Sequence, residues 1–349
     1  MKAVFFPGDR EAIVKEVPDP KPDRGQVLIR MKASGICGSD LELLYRLSKE
    51  ERGKPLLGIT ISPEVIPGHE PCGVVEELGP GVHHLREGDP VIVYHLSGCG
   101  YCKFCRSGFP IHCAQKRTYG FDIHGGFADL MVADEKDCVM LPNELDFVEG
   151  AYCGCGAGTA YKASKRVGIC GLETIALFGL GPVGLAGVLI GKALGARVIG
   201  VDIKEYRLRL AQKAGADHII NSNEGDPVKS IMELTNGEGA DAAIDFSSNP
   251  VARSNALDCT KTWGRVAFVG LAGGKITIDA STQIIPKQLN IYGSWVFSTA
   301  ELQELLAMLV RYRLRFDDLV THRFSIEDAP EALRLFDKGE SGKVVLIWT

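Results

Sequence analysis

Residues 174–202 constrain the fold most strongly, because they join a strand, a glycine-rich turn and a helix in a fixed order. The apolar run Thr174–Phe178 predicts a buried strand and leads into Gly-Leu-Gly-Pro-Val-Gly at 179–184. A helix is predicted over 183–194 and a second strand over 197–201, with further strands at 242–245 and 265–270. Apolar strands that alternate with helices are typical of a parallel sheet covered on both faces. The sequence therefore predicts an α/β class with a doubly wound parallel sheet.

The glycine hexad predicts a dinucleotide site of the Rossmann type. Gly179 permits the tight turn, Gly181 lets the backbone approach a pyrophosphate, and Gly184 lets helix and strand pack closely. The helix that starts at Pro182 and Val183 then offers amide donors and a positive dipole end to phosphates. The alternative is a structural turn that binds nothing, because glycine hexads are common.

Asp202 bears on which dinucleotide binds. It stands 18 positions after Gly184, at the end of the next strand, where a carboxylate can accept both hydroxyls of the adenosine ribose. Its charge would repel a 2′-phosphate, which favours NAD over NADP. Lys204 and Arg207 lie close by and keep NADP open, since a neighbouring base can shelter a phosphate.

The first 150 residues have a different pattern, which predicts short strands separated by turns that contain Gly, Pro and Asp. Strands are predicted at 2–6, 26–33, 72–78, 89–94 and 127–132, as in a mostly antiparallel β domain. Residues 43–65 begin with a possible helical turn and are predicted to be a surface excursion. Near the C-terminus we expect a strand at 289–296, a helix at 299–311 and a strand at 344–348.

Four cysteines within fifteen residues predict a closed metal site. The spacing C-x2-C-x2-C-x7-C lets one loop bring four thiolates to the corners of a tetrahedron, which zinc favours in structural sites. An iron–sulfur cluster and disulfides or free thiols are the alternatives. The residues concerned are Cys99, Cys102, Cys105 and Cys113.

Composition excludes several classes of function. The net charge of −5, without a basic cluster, makes nucleic acid and membrane surfaces unlikely partners. No apolar run reaches the 18 residues of a membrane span or resembles a secretory leader. Eleven cysteines without such a leader fit metal-bound and reduced thiols, so we expect a cytoplasmic protein.

A second set of metal-competent residues is dispersed along the chain, and no spacing rule joins its members. A lone buried cysteine is more often a small core residue than a ligand. The set consists of Cys37, His69, Glu70 and Cys155.

What links this set is a resemblance that covers essentially the whole chain. The motifs G-I-C-G-S-D, G-H-E, the four-cysteine segment, G-G-F-A-D, G-C-G-x-x-T-A-Y, G-x-G-x-x-G and G-K-V-V-L follow one another in this order. In them the chain resembles the medium-chain, zinc-dependent alcohol and polyol dehydrogenases. The resemblance implies a GroES-like catalytic domain at 1–156 and 294–349 around a Rossmann domain at 157–293. It also implies a homodimer or homotetramer.

The same resemblance implies the roles of individual residues. Cys37, His69 and Cys155 would bind a catalytic zinc with one open position, and Glu70 would be an acidic neighbour able to approach the metal. Zinc would assist hydride transfer from an alcohol to NAD. The remaining implied roles are a hydrogen bond that Asp40 accepts from His69 and that holds its tautomer, proton transfer by Ser39, and nicotinamide contacts from Thr159 and Val183.

The chain departs from the family at two positions and keeps a ligand that some members lack. Glu42 stands where many alcohol dehydrogenases end their proton relay with a histidine, so a carboxylate or a water path would carry the proton. Sorbitol-type enzymes commonly lack the third cysteine ligand, whereas Cys155 is present here. Cys153, two residues earlier, is the second departure; it is interpreted as a core thiol, with a spare metal ligand as the alternative.

His95 occupies a position where the family usually has a substrate-pocket side chain, often aromatic. An imidazole there suggests a substrate with a second hydroxyl, although a packing histidine is the alternative. We therefore expect NAD-dependent oxidation of a secondary alcohol of a polyol, sugar or cyclitol. The alternatives are a threonine-type 3-hydroxy amino acid dehydrogenase and a catalytically silent zinc and nucleotide binder.

Overall fold

A computed structural model describes residues 1–51, 54, 61–271 and 273–349. The first part of the chain contains the strands β1 (Lys2–Gly8), β2 (Glu11–Glu16), β3 (Gln26–Ile36), β4 (Pro71–Leu78), β5 (Pro90–Val93), β6 (Leu96–Ser97), β7 (Arg117–Thr118), β8 (Leu130–Asp134) and β9 (Cys138–Met140). Its helices are α1 (Gly38–Asp40), α2 (Lys103–Arg106) and α3 (Phe147–Tyr152), with π-helical turns at Leu41–Tyr45 and Cys153–Ala157 and 3₁₀ turns at Pro110–His112 and Glu135–Asp137.

The middle of the chain alternates helices and strands. These are α4 (Gly158–Val167), β10 (Thr174–Phe178), α5 (Pro182–Ala193), β11 (Arg197–Asp202), α6 (Glu205–Lys213), β12 (His218–Asn221), α7 (Pro227–Leu234), β13 (Ala240–Asp245), α8 (Pro250–Asp258), β14 (Thr260–Phe268), a π-helical turn at Ala280–Ile284 and β15 (Asn290–Gly293). The C-terminal part contains α9 (Thr299–Tyr312), a 3₁₀ turn at Asp317–Leu319, β16 (Val320–Phe324), α10 (Ala329–Asp337) and β17 (Lys343–Ile347).

The chain forms two compact units. The first consists of Met1–Gly158, Phe297–Gly339 and Lys343–Thr349, and the second of Thr159–Val296 with Glu340–Gly342. Within the described residues, no helix is both long and apolar enough to cross a membrane.

The first unit is built on a largely antiparallel sheet in the order β16-β17-β3-β4-β5-β9, with β8 also paired to β3. Only the β16–β17 pair in this sheet is parallel among the described strands. Strand β3 is central because most of its residues are buried on both faces, in contrast to half-exposed β2. The predicted β-rich domain is confirmed, and its central strand leads directly to Cys37.

Residues 43–65 were predicted to be a surface excursion, and this prediction is wrong for the described residues at both ends of the segment, which are buried. Leu43, Leu44 and Tyr45 are at most 3% exposed, and Ile61 and Val65 are at most 2% exposed. They pack in one apolar cluster with residues of β1 and α10. The charged stretch between them hid this pattern from the sequence, because apolar spacing is interrupted there. Residues 52, 53 and 55–60 lie outside the described part of the chain.

The second unit is a parallel sheet in the order β12-β11-β10-β13-β14-β15. This order reverses between β10 and β13, as in dinucleotide-binding folds, in which ligands bind at the carboxyl ends of the strands beside the reversal. Four of the five residues of β10 are fully buried apolar residues, which explains why that strand was predicted with its observed bounds. The predicted doubly wound parallel sheet is confirmed.

Candidate active site

The four cysteines between β6 and β7 meet in space. Each offers a sulfur atom, and the four sulfur atoms lie within 4.8 Å of one another. Backbone amides point at them: the N–H of Cys102 donates to Cys99 Sγ and that of Gln115 donates to Cys113 Sγ, each at 3.4 Å. Amide donors from Tyr101 and Cys102 lower the pKa of Cys99 to about 6. Four converging thiols with donated amides suit a tetrahedral metal ion that requires thiolates.

None of the eleven cysteines forms a disulfide, and all of them lie among the described residues. The sulfur atoms of Cys102 and Cys105 are 3.5 Å apart, which is far longer than a covalent bond between sulfur atoms. The disulfide alternative for this segment therefore receives no support from the structure.

The dispersed second set also converges, although its members come from three separate stretches. Cys37 directly follows β3, His69 and Glu70 precede β4, and Cys155 lies in the π-helical turn at Cys153–Ala157. One donor atom from each of the four lies within 4.8 Å of the others. His69, Glu70 and Cys155 are at most 9% exposed. Two thiols and an imidazole in a buried cluster form a donor set that suits zinc.

A tight backbone contact places His69. Gly68 has a φ of +92°, and a Cβ atom there would lie 2.4 Å from the Phe127 ring. Only glycine fits this turn. The turn therefore delivers His69 and Glu70 to the cluster in the G-H-E sequence that the motif contains.

Asp40 orients the cluster. Its Oδ1 lies 2.8 Å from His69 Nδ1, and its Oδ2 accepts a hydrogen bond from the Cys37 N–H at 2.8 Å. Since the carboxylate accepts from Nδ1–H, Nε2 is the ring nitrogen that faces the cysteines. Burial opposes it, but the negative charges of Asp40 and Cys37 hold the pKa of His69 well above its usual range, so the ring stays protonated until a metal ion displaces the Nε2 proton. The Ser39 hydroxyl lies 3.2 Å from that Nε2 and 3.4 Å from Cys37 Sγ.

The thiol of Cys37 is prepared for deprotonation. A hydrogen bond from the Cys155 thiol holds the pKa of Cys37 well below its usual range, and the charge of His69 acts in the same direction. Thiolate is the form that binds metal ions. The electrostatics therefore favour Cys37 as the thiolate of the pair, whereas the hydrogen bond to Cys37 and burial raise the pKa of Cys155 well above its usual range.

Glu70 forms a buried ion pair with Lys343, the first residue of β17. Neither residue is exposed, and the Lys343 ammonium also donates to the Ile36 carbonyl at 2.9 Å. Burial raises the pKa of Glu70 to about 7, against the opposing charge of Lys343. The Oε1 atom of Glu70 has no hydrogen-bond partner among the described residues, so it is the oxygen of this carboxylate that is available to bind a metal ion.

Sequence reasoning did not assign a role to Lys343. It appeared only inside the G-K-V-V-L motif, and its signal was a lysine that opens an otherwise apolar strand. A lysine that is fully buried needs a charged or polar partner. That rule points to a buried acid in the same fold without identifying Glu70.

His95 lies beside the cluster. It is 4% exposed, and the centroid of its ring is 5.3 Å from that of His69. Its Nδ1 donates to the Gly154 carbonyl at 3.1 Å, so Nε2 is an acceptor. Burial, together with the charge of His69, lowers the pKa of His95 to about 3. The imidazole is therefore neutral at physiological pH and can accept a hydrogen bond from a hydroxyl.

Glu42 is not brought into the cluster. It lies in the π-helical turn Leu41–Tyr45, where its carboxylate pairs with Arg46, whose Nε donates to Asp337 Oδ1 at 2.7 Å. Cys153 is fully buried, and burial raises the pKa of its thiol well above the usual range. These features fit a packing role for Cys153.

The glycine hexad forms the turn between β10 and α5. Gly179 has a φ of +87°, and a Cβ atom on Gly184 would lie only 1.9 Å from the Gly179 carbonyl oxygen. Gly181 is the N-cap of α5, and its nearest neighbour would be the Arg207 guanidinium at 3.9 Å from a Cβ atom. Space is thus left open in front of Gly181, where a pyrophosphate would approach the start of the helix.

The remaining predicted nucleotide residues lie in the same unit. Pro182 and Val183 open α5, and Thr159 is the second residue of α4. The Nε atom of Arg207 is buried and has no hydrogen-bond partner among the described residues.

Asp202 also has a structural role that the sequence did not predict. Its Oδ2 accepts from the Leu180 N–H at 2.6 Å, and its Oδ1 accepts from the N–H groups of Ile203 and Lys204 at 2.8 and 2.9 Å. The carboxylate is 6% exposed and therefore also fastens the glycine turn to the end of β11.

Two family models match the chain. Residues 23–143 match the alcohol dehydrogenase GroES-like domain, and residues 182–311 match the zinc-binding dehydrogenase model.

Similar proteins extend along almost the whole chain. An uncharacterised zinc-type alcohol dehydrogenase-like protein of Escherichia coli, YphC, is 42% identical over 99% of this chain and 98% of its own. The L-threonine 3-dehydrogenase of Pyrococcus horikoshii is 36% identical over 95% of this chain and 94% of its own. Among solved structures, the alcohol dehydrogenase TADH of Thermus sp. ATN1 superposes with a TM-score of 0.90 at 29% identity, covering 99% of both chains.

Proposed function

Because this chain belongs to the zinc-dependent medium-chain alcohol dehydrogenase family, we propose that it oxidises a secondary alcohol of a polyol, sugar or cyclitol, with NAD as the hydride acceptor. The predicted family, its GroES-like and Rossmann fold and its oxidoreductase class are confirmed by these matches. The substrate class and the individual residue roles are our proposal.

The observation that carries the proposal is the convergence of Cys37, His69 and Cys155 in one buried cluster. Three protein donors leave one position of a tetrahedral ion for the substrate oxygen, as in catalytic zinc sites. When bound there, zinc acts as a Lewis acid that lowers the pKa of the alcohol and makes hydride loss from its carbon possible.

The protein residues around the cluster have complementary roles. Asp40 holds the His69 ring so that Nε2 faces the metal position. The Ser39 hydroxyl, 3.2 Å from that Nε2, would relay the proton of the alcohol: it accepts that proton and passes its own outward to water. Glu70 supplies its free Oε1 near the ligands while Lys343 balances its charge. Glu42 pairs with Arg46 and lies outside the cluster, so among the proposed catalytic residues it has the least support from the structure.

His95 supports a substrate with more than one hydroxyl. Its neutral ring donates through Nδ1 to Gly154, so its Nε2 is an acceptor beside the metal ligands. A buried acceptor is left unpaired when the substrate lacks the matching hydroxyl, which penalises simple alcohols.

The cofactor proposal depends on the second unit. The open space at Gly181 and the start of α5 would receive the pyrophosphate, and Asp202 would accept the adenosine ribose hydroxyls. Thr159 and Val183 would contact the nicotinamide. The four cysteines from Cys99 to Cys113 form a closed set and would hold a structural zinc with no position for substrate.

Threonine is the second candidate substrate, since the relative from Pyrococcus horikoshii is an L-threonine 3-dehydrogenase. Threonine carries a carboxylate and an ammonium group beside its secondary alcohol. A neutral His95 offers no positive charge to the carboxylate of threonine, which favours the polyol.

A substrate panel tests the function. Zinc-loaded protein and NAD are mixed with polyols, sugars, cyclitols, simple secondary alcohols and threonine, and NADH absorbance is followed. We expect the highest kcat/KM for a polyhydroxylated secondary alcohol. A preference for threonine would replace the proposed substrate, and no NADH formation with any compound would indicate a silent binder.

Two substitutions at His95 test the substrate class. His95→Phe removes the acceptor and should lower kcat/KM for the polyol by about 10- to 100-fold, with little change for a simple secondary alcohol. His95→Gln keeps an acceptor and serves as the matched control. Equal losses for polyol and simple alcohol would contradict a contact with a second hydroxyl.

Homo-oligomerisation is a further part of the proposal. Strand β15 is one of the two edge strands of the parallel sheet among the described residues and is only partly buried, so its outer side offers pairing to a second copy. Sedimentation analysis should give a dimer or tetramer, and a monomer at micromolar concentration would contradict this proposal.

A further inference from the structure

An arginine on α8 joins the loops at the carboxyl edge of the parallel sheet. The Arg253 side chain is 15% exposed. Its Nε donates to Asp245 Oδ2 at 3.2 Å, while its terminal nitrogens donate to the carbonyls of Gly270 at 2.6 Å and Gly274 at 3.2 Å. The guanidinium therefore connects the end of β13 with the segment that follows β14.

Asp245, the last residue of β13, is fully buried and shapes the turn after this strand. Its Oδ1 accepts from the Ser247 N–H at 2.9 Å and the Ser247 hydroxyl at 2.6 Å, and its Oδ2 accepts from the Ser248 N–H at 3.2 Å. Its backbone carbonyl accepts from the Val269 N–H at 2.9 Å. The Asp245 carboxylate thus holds the turn at Ser247 and Ser248, and the Arg253 guanidinium holds the Asp245 carboxylate.

This turn lies directly behind the glycine hexad. A Cβ atom on Gly179 would be 2.7 Å from the Cα of Ser247, and the Phe246 N–H donates to the Phe178 carbonyl at 2.8 Å. Displacement of Ser247 would therefore displace Gly179.

The segment after β14 is packed just as closely against the same turn. Cβ atoms on Gly270 and Gly273 would lie 2.4 Å from the Ser248 nitrogen and 2.0 Å from the Ser248 oxygen. At this distance the backbones are in direct contact. The positions of the three loops are thus interdependent, and Arg253 with Asp245 is the charged pair that joins them.

We propose that Arg253 is a positioning residue for the dinucleotide: through Asp245 and two carbonyls it holds the glycine hexad and the loop after β14 in the arrangement that binds the cofactor. The inference rests on the proposed use of NAD. Loops at the carboxyl ends of parallel strands form the ligand site in such sheets, and a site is only as well ordered as the residues that support it.

The three acceptors explain why an arginine is required. A guanidinium presents five N–H donors in a fixed plane, so it can bond a carboxylate and two carbonyls together. A lysine in its place keeps the charge near Asp245 but offers a single nitrogen. Arg253→Lys should therefore retain part of the fold stability and lose part of the loop order.

The experiment measures NADH binding to the zinc-loaded full chain by fluorescence titration. For Arg253→Met we expect the NADH Kd to rise by about tenfold, and for Arg253→Lys by a smaller factor. The KM for NAD should rise in parallel, whereas zinc content and the KM for the alcohol should stay near wild-type values. If Arg253→Met does not fold, the NADH Kd of Arg253→Lys alone tests the inference.

Arg265 provides a matched control on the same sheet. It lies on β14, is 24% exposed and pairs with Glu173 at 2.6 Å, beside the amino end of β10. Arg265→Met removes an equivalent ion pair away from the carboxyl edge, so it should lower the unfolding temperature without changing the NADH Kd.

Two results overturn the inference while leaving the proposed function intact. One is an unchanged NADH Kd in both folded Arg253 variants. The other is an equal rise in Kd for Arg265→Met, which would show a general loss of stability. Absence of NADH binding by the wild-type chain would instead overturn the proposed function and, with it, this inference.

Discussion

Asp40 binds two residues of the metal-competent cluster at once. Its Oδ1 lies 2.8 Å from Nδ1 of His69, while its Oδ2 accepts from the Cys37 N–H at the same distance. Cys37 follows β3 and His69 precedes β4, so this fully buried carboxylate sets their spacing as well as the tautomer of the imidazole. A metal ligand whose partner fixes its tautomer is also the more basic donor.

Removing this carboxylate should weaken zinc binding at the proposed catalytic site. Asp40→Ala leaves His69 Nδ1 buried without an acceptor, and we expect a loss of zinc affinity of about 10- to 100-fold. Zinc retention in competition with a chelator measures it. Asp226→Ala, which removes a carboxylate that caps α7 in the other unit, is the control and should retain both zinc ions. Wild-type retention in Asp40→Ala would rule out the orienting role.

The two sulfur-containing clusters should bind zinc independently. The wild-type chain is expected to contain about two zinc ions, given four donors in the closed set and three in the open one. Cys37→Ala should leave one ion and abolish alcohol oxidation, because it removes a ligand of the open set. Cys99→Ser should lose the other ion and lower the unfolding temperature.

Elemental analysis together with activity separates these outcomes. A single ion in the wild-type chain that disappears in Cys99→Ser and persists in Cys37→Ala would eliminate the catalytic zinc. Cys170→Ser is the control, since Cys170 is exposed and belongs to neither cluster.

The sequence predicted the elements whose local signal is strong. Residues 174–178 are bounded as predicted because an apolar run of strand length is followed by glycine. The closed cysteine set was also visible, since all its members share one loop. By contrast, Cys37, His69 and Cys155 are up to 118 positions apart, and only the family resemblance joined them before the fold did.

Pairings between distant side chains were not predictable. Nothing in the pattern around Lys343 names Glu70, and nothing around Arg46 names Asp337, which lies 291 positions away. The burial of Leu43 and Val65 was missed for the same reason, since apolar residues separated by a charged stretch have no common period. Such relations depend on tertiary contacts that local patterns do not specify.

Asp202 should control the choice between NAD and NADP. Its charge repels a 2′-phosphate, but its oxygens also accept three backbone N–H groups. Asp202→Asn therefore tests charge with less damage to the glycine turn than Asp202→Ala. We expect the ratio of kcat/KM for NAD to that for NADP to fall by about tenfold, an electrostatic loss near 1.4 kcal/mol.

A neighbouring acid supplies the control for this substitution. Glu205→Gln removes an exposed charge three residues away that pairs with Arg209, and it should leave the cofactor ratio unchanged. An unchanged ratio in Asp202→Asn, with NAD binding intact, would mean that another residue selects the cofactor.

Asp137 should make stability depend on pH in the acidic range. It is 3% exposed, accepts from the Tyr119 hydroxyl at 3.2 Å and lies 3.6 Å from the Lys136 ammonium. Burial raises its pKa from 3.8 to about 6, against the opposing charge of Lys136. The folded state thus holds the proton more tightly than the unfolded state, so this contribution is fully present below about pH 4 and is lost as pH rises through 6. Asp137→Asn, which cannot ionise, should be more stable than wild type at pH 8 by up to about 3 kcal/mol, and the difference should shrink toward pH 4.

Urea unfolding midpoints of wild type and Asp137→Asn from pH 4 to 8 measure this difference, with substitution of the exposed Glu144 (Glu144→Gln) as the control. A difference between wild type and Asp137→Asn that stays constant from pH 4 to 8 would show that Asp137 does not titrate with a raised pKa.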